Sequence, residues 1–112
     1  MKRPRLIAAV IISLTGPANA QSSDVNSANA VMPGCEAVGT SQQGFGAGYC
    51  VGIINALMNI APIFRACPPV GVSAGQSLRV VIAFINQNPA RMHEPFEVLV
   101  IEAFRNAWPC RN

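Results

Sequence analysis

Four cysteines in a chain of 112 residues, Cys35, Cys50, Cys67 and Cys110, restrict the fold more than any other residues do. The last two lie in Cys67-Pro68-Pro69 and Pro109-Cys110 and bracket two helical patterns, so the stretch between them reads as a helical hairpin closed by a disulfide. A domain of this size buries a modest share of its surface, and staples compensate for the small core. Four cysteines allow three pairings.

The helical patterns choose among those pairings. A first long helix is predicted over residues 45–61, FGAGYCVGIINALMNIA, ended by Pro62; it carries no charge and is expected to be buried on nearly every side. A second starts at Ser73, where Ser73-Ala74-Gly75-Gln76 matches a capping box, and Leu78, Val81, Ile82 and Ile85 give it an apolar stripe. It should stop near Asn88, ahead of Pro89. A third begins around Pro95 and carries Phe96, Leu99, Val100, Ala103, Phe104 and Ala107 on one face, with Glu97 near its start and Arg105 near its end in keeping with the helix dipole. If the second helix descends from Cys67 and the third returns over a similar length, Cys110 arrives beside Cys67. Cys50, in the first turns of the helix over 45–61, is then left for Cys35. The fold class is all-α, a small disulfide-stapled domain of about four helices.

Gly44, Gly48 and Gly52 recur every four residues and predict a smooth groove for close helix approach, a spacing that in lipid marks a dimerisation face. The uncharged run over 45–64 is just long enough for a membrane span, yet Asn55, Asn59, Pro62 and the glycines favour a buried helix.

The start of the chain resembles an export signal. Lys2, Arg3 and Arg5 form a positive region, residues 6–14 are apolar, and Ala18-Asn19-Ala20 offers small residues for cleavage after Ala20. The expected organisation is a cleaved signal peptide over 1–20, a flexible polar arm over 21–29 and a helical domain over 30–112. Beyond Ala20, Arg65, Arg79, Arg91, Arg105 and Arg111 balance Asp24, Glu36, Glu94, Glu97 and Glu102, so the formal +3 of the whole chain belongs to the signal. A neutral domain without lysine is a poor partner for nucleic acid, and nothing in it favours a membrane surface after cleavage.

Catalysis has little support. His93 is the only histidine and Asp24, in the polar arm, the only aspartate, so no nucleophile, base and orienting acid assemble. Four cysteines without a CxxC pair give no zinc spacing, and no cofactor is implied. An enzyme is not expected.

Several blocks carry a resemblance as a set: Pro33-Gly34-Cys35, Gly48-Tyr49-Cys50-Val51-Gly52-Ile53, Cys67-Pro68-Pro69-Val70-Gly71-Val72-Ser73 with Gln76, residues 88–94, and Ala107-Trp108-Pro109-Cys110. In content, order and spacing they resemble the Tai/Rap family of type VI secretion immunity proteins over about residues 27–110. The resemblance implies a small periplasmic all-helical protein, often a homodimer, that blocks a peptidoglycan amidase effector by occluding its active-site cleft. The turn between the last two helices, with Gln87, Asn88, Arg91, Met92, His93 and Glu94, is the candidate effector-binding surface, although for His93 itself a structural role as cap of the last helix is the favoured reading. The alternative is a periplasmic stress chaperone or an envelope adaptor; one histidine and few carboxylates make a weak acid switch.

Overall fold

The computed structural model describes residues 25–111, with positions 2, 4 and 10 ahead of them. The expected signal peptide and its cleavage point lie outside the described residues, apart from those three positions. Among the described residues the fold is all-α: α1 (Ala28–Ala37), α2 (Phe45–Asn59), α3 (Ala74–Asn86) and α4 (Phe96–Ala107), with 3-10 turns at Ala61–Phe64 and Pro89–Arg91. α1 packs chiefly on α2 and α3 on α4.

α1 was not legible in the sequence, and it begins inside the segment expected to be a flexible arm. Ser27 is buried at its N-cap and its hydroxyl accepts from the Ala30 amide at 3.2 Å, which satisfies a first-turn donor. Pro33 lies within the helix and removes one backbone donor there. The element survives because Val31, Met32 and Cys35 are buried against the other helices.

The α1–α2 crossing depends on two glycines. A Cβ on Gly34 would sit 2.3 Å from the Gly46 carbonyl oxygen, so the two backbones touch where a side chain would be. The Cys35–Cys50 disulfide, with Cα atoms 5.3 Å apart, joins the same pair of helices one position beyond Gly34. The stripe of Gly44, Gly48 and Gly52 does something else: nothing lies within 4 Å of a Cβ placed at any of the three.

α2 is half open rather than buried all round. Ala47, Cys50 and Ile54 face the core, while Phe45 (87 % exposed), Gly48, Tyr49, Gly52, Asn55 and Ala56 face outward. The domain has too few helices to cover both sides of an uncharged one. The α-helix ends at Asn59, two residues short of the expected end, because Pro62 takes an early position in a 3-10 turn rather than ending the helix directly. No helix among the described residues is long and apolar enough to cross a membrane.

The second half follows the sequence more closely. The Ser73 hydroxyl accepts from the Gln76 amide at 3.0 Å, and Val81 and Ile85 are buried with Leu78 and Ile82 packed beside them. On α4, Phe96, Leu99, Val100, Ala103 and Phe104 are buried, but Ala107 is exposed in the last turn. Full burial of a side chain such as Leu99 or Phe104 contributes roughly 1.5–3 kcal/mol. The Trp108 amide donates to the Phe104 carbonyl at 2.8 Å and its ring lies 5.7 Å from that of Phe104. Cys67 and Cys110 then close the hairpin with Cα atoms 4.9 Å apart, beside an antiparallel bridge between Ala66 and Pro109. Both disulfides are those the helical reading predicts.

Candidate functional site

The connection between α3 and α4 gathers the six residues named as a binding surface. It starts where the α3 stripe ends: Gln87 caps the helix, and the Asn88 side chain turns back so that its Nδ2 donates to the Phe84 carbonyl at 2.8 Å. Asn88 is the N-cap residue of the 3-10 turn Pro89–Arg91, where Pro89 needs no donor partner, and Pro95 starts α4 in the N-cap position with no side-chain cap. His93 therefore does not cap α4; it is exposed, as is Gln87.

The connection is braced rather than free. The α1 amides of Ala28 and Asn29 donate to the carbonyls of Glu94 at 3.0 Å and Met92 at 2.8 Å, so the first turn of α1 fills its open donors from this loop. An isolated bridge between Ser27 and Pro95 continues the contact. Met92 packs its side chain against the core.

Arg91 fixes the loop from the other side. Its Nε donates to Glu94 Oε2 at 2.5 Å and its Nη2 to Glu94 Oε1 at 3.0 Å, while Nη2 also donates to the Glu102 carboxylate on α4. The Arg91 hydrogen bonds hold the Glu94 carboxyl below its ordinary value; partial burial opposes this, and the charges of Arg91 and His93 add to it. The same bonds, first from Glu94 and then from Glu102, raise the Arg91 guanidinium above its ordinary value. Sequence spacing suggests the Arg91–Glu94 pair, three residues apart, but Glu102 joins only because α4 returns past the loop. Among the six, Gln87 and His93 are the side chains left most open, and the rest are committed at least in part to holding the loop's shape.

Glu102 also lines a concavity of about 720 Å³ with Arg65, Arg105, Asn106, Pro109 and Cys110. No binding role for that concavity is visible in the sequence, because Arg65 and Arg105 come from different elements. Among the described residues every cysteine is in a disulfide, and no group of three or more His, Cys, Asp or Glu side chains could hold a metal ion. Asp24 lies outside the described residues.

A family model described as Rap1a immunity proteins matches residues 27–110. The chain belongs to the Rap1a immunity protein family. The matched span runs from the N-cap of α1 to the cysteine that closes the α3–α4 hairpin, so it takes in four helices and both disulfides. No curated protein and no solved structure matches the chain. Membership of the Rap1a family agrees with the resemblance of the sequence blocks and implies a cognate effector protein as partner.

Proposed function

We propose that the protein is an exported immunity protein, cleaved after Ala20, that binds a peptidoglycan amidase effector of a type VI secretion system in the periplasm and occludes its active-site cleft. The Rap1a family match over the whole helical domain is the observation that carries this reading. Two disulfides support an oxidising compartment, where such bonds persist. In this reading the effector is the enzyme and the Rap1a protein its plug, with no catalytic role of its own.

The braced connection over 87–94 is the surface proposed to enter the cleft. Its carbonyls, ion pairs and half-buried Met92 fix the backbone before any partner arrives, so docking costs little ordering entropy. Gln87 and His93 are free to make polar contacts, and Arg91, Met92, Asn88 and Glu94 set their position.

A homodimer is proposed to form through the open, uncharged face of α2, where Gly48 and Gly52 leave room for a second backbone. Light scattering on the Gly52→Glu variant tests this: a dimeric wild type and a monomeric, folded variant are expected, whereas a monomeric wild type would remove the proposal. The inhibitory reading is tested by directing a type VI amidase effector of the same organism to the periplasm of a sensitive host. Co-expression of the Rap1a protein is expected to prevent lysis, and Gln87→Ala/His93→Ala to restore it. Lysis unaffected by the wild-type protein, across every amidase effector the organism encodes, would reject the amidase as target.

A further inference from the structure

We infer that the concavity at the C-terminal end of α4 is a carboxylate-recognition site that takes an acidic segment of a partner protein. It is lined by two guanidiniums, Arg65 and Arg105, with the Asn106 amide, and its volume of about 720 Å³ is far more than a single small anion needs. Neither arginine makes an ion pair among the described residues. The carboxylate on the wall, Glu102, shares Arg91 with Glu94 and so offsets part of the charge of Arg65 and Arg105. Two guanidiniums against this one shared carboxylate leave the concavity net positive, in a domain whose formal charges beyond Ala20 sum to zero.

The half charge at the C-terminal end of α4 works against an anion there, but two guanidiniums outweigh it, and arginine offers paired donors matched to a carboxylate. Arg65 has a second peculiarity: its φ is 67°, and it is the one non-glycine residue with positive φ among the described residues. Glycine would hold that left-handed conformation more easily. The Arg65 amide donates to the carbonyls of Ala61 and Pro62, and the neighbouring Ala66–Pro109 bridge and Cys67–Cys110 disulfide fix the wall from which its side chain projects. This left-handed residue is the C-cap of the 3-10 turn, and it fixes the direction in which the Arg65 side chain leaves the backbone at the edge of the concavity.

A protein segment rather than a free anion is the occupant, because the concavity is open, includes Pro109 as an apolar wall, and is joined through the Glu102–Arg91 ion pair to the connection over 87–94. In that respect the inference rests on the proposed effector-docking surface and extends it.

The test uses the disulfide-intact protein, labelled with nitrogen-15, and a blocked peptide, acetyl-Gly-Glu-Glu-Gly-amide, with its glutamine counterpart as control. Saturable shifts of the Arg65 and Arg105 Nε–H signals are expected with the glutamate peptide and not with the glutamine peptide. R105Q and R65Q are each expected to weaken binding roughly three- to fivefold, and R79Q to leave it unchanged. R105Q, at an exposed helical position, decides the matter if R65Q loses stability. Equal shifts with both peptides, or binding untouched by R105Q, would overturn the site; inorganic phosphate displacing the peptide at equal concentration would overturn its assignment to a protein segment. No effector enters this experiment, so its failure leaves the amidase reading standing, and rejection of the amidase leaves the peptide result intact.

Discussion

Gly34 and Gly46 show how one missing Cβ sets an interhelix distance. Gly34→Ala would place a methyl 2.3 Å from a backbone oxygen, and relief requires α1 and α2 to separate although a disulfide holds them. Overpacking of this kind costs about 1–3 kcal/mol. Gly48→Ala, with open space around it and a helical backbone, should instead stabilise the fold by about 0.5–1 kcal/mol. Thermal unfolding at low protein concentration checks both signs. Arg91 gives a second residue-scale prediction. Glu94 titrates below its ordinary 4.5 in the fold, so its contribution is fully present above that pH and is lost as pH falls through the lower folded value. The raised guanidinium of Arg91 contributes across the neutral range and loses its effect only in strong alkali. Denaturant titrations from pH 6 to pH 3 should show wild-type stability falling more steeply below pH 4.5 than that of Glu94→Gln; parallel curves would mean that the ion pair does not hold the loop.

At the scale of elements, the two disulfides do unequal work on a chain-entropy view. The Cys67–Cys110 bond closes a loop with a sequence separation of 43 and Cys35–Cys50 one of 15, worth roughly 4 and 3 kcal/mol respectively. Replacing both cysteines of the longer loop by serine should therefore lower the urea midpoint more than the same change in the shorter one. The reverse order would show that native packing, rather than loop closure, dominates. The sequence made α3 and α4 legible because an apolar stripe, a serine cap and flanking prolines all agree there. α1 was hidden because its cap lies in a polar run and Pro33-Gly34 reads as a breaker, although buried Val31, Met32 and Cys35 outweigh both. α2 misled in the other direction. Its lack of charge predicts burial, but burial also needs neighbours, and this domain has them on one side of the helix. The residues of the loop over 87–94 were legible as a group; the brace from the amides of Ala28 and Asn29 was not, since it joins segments more than sixty residues apart, as their numbers show.

For the whole molecule, the architecture is one in which a rigid loop is held at three points: the N-terminus of α1, the Glu102 carboxylate of α4 and the core beneath Met92. Such a loop suits a protein that blocks a cleft better than one that must open to capture unfolded chains. The measurement that tests this most directly is hydrolysis of peptidoglycan fragments by a type VI amidase effector of the same organism, followed as the disulfide-intact Rap1a protein is added. Cleavage should fall in proportion to the protein added and cease once every effector molecule is bound, with Gln87→Ala/His93→Ala needing a large excess for the same effect. Full hydrolysis in the presence of a stable complex would contradict occlusion of the cleft, and the absence of any complex would contradict the amidase as partner.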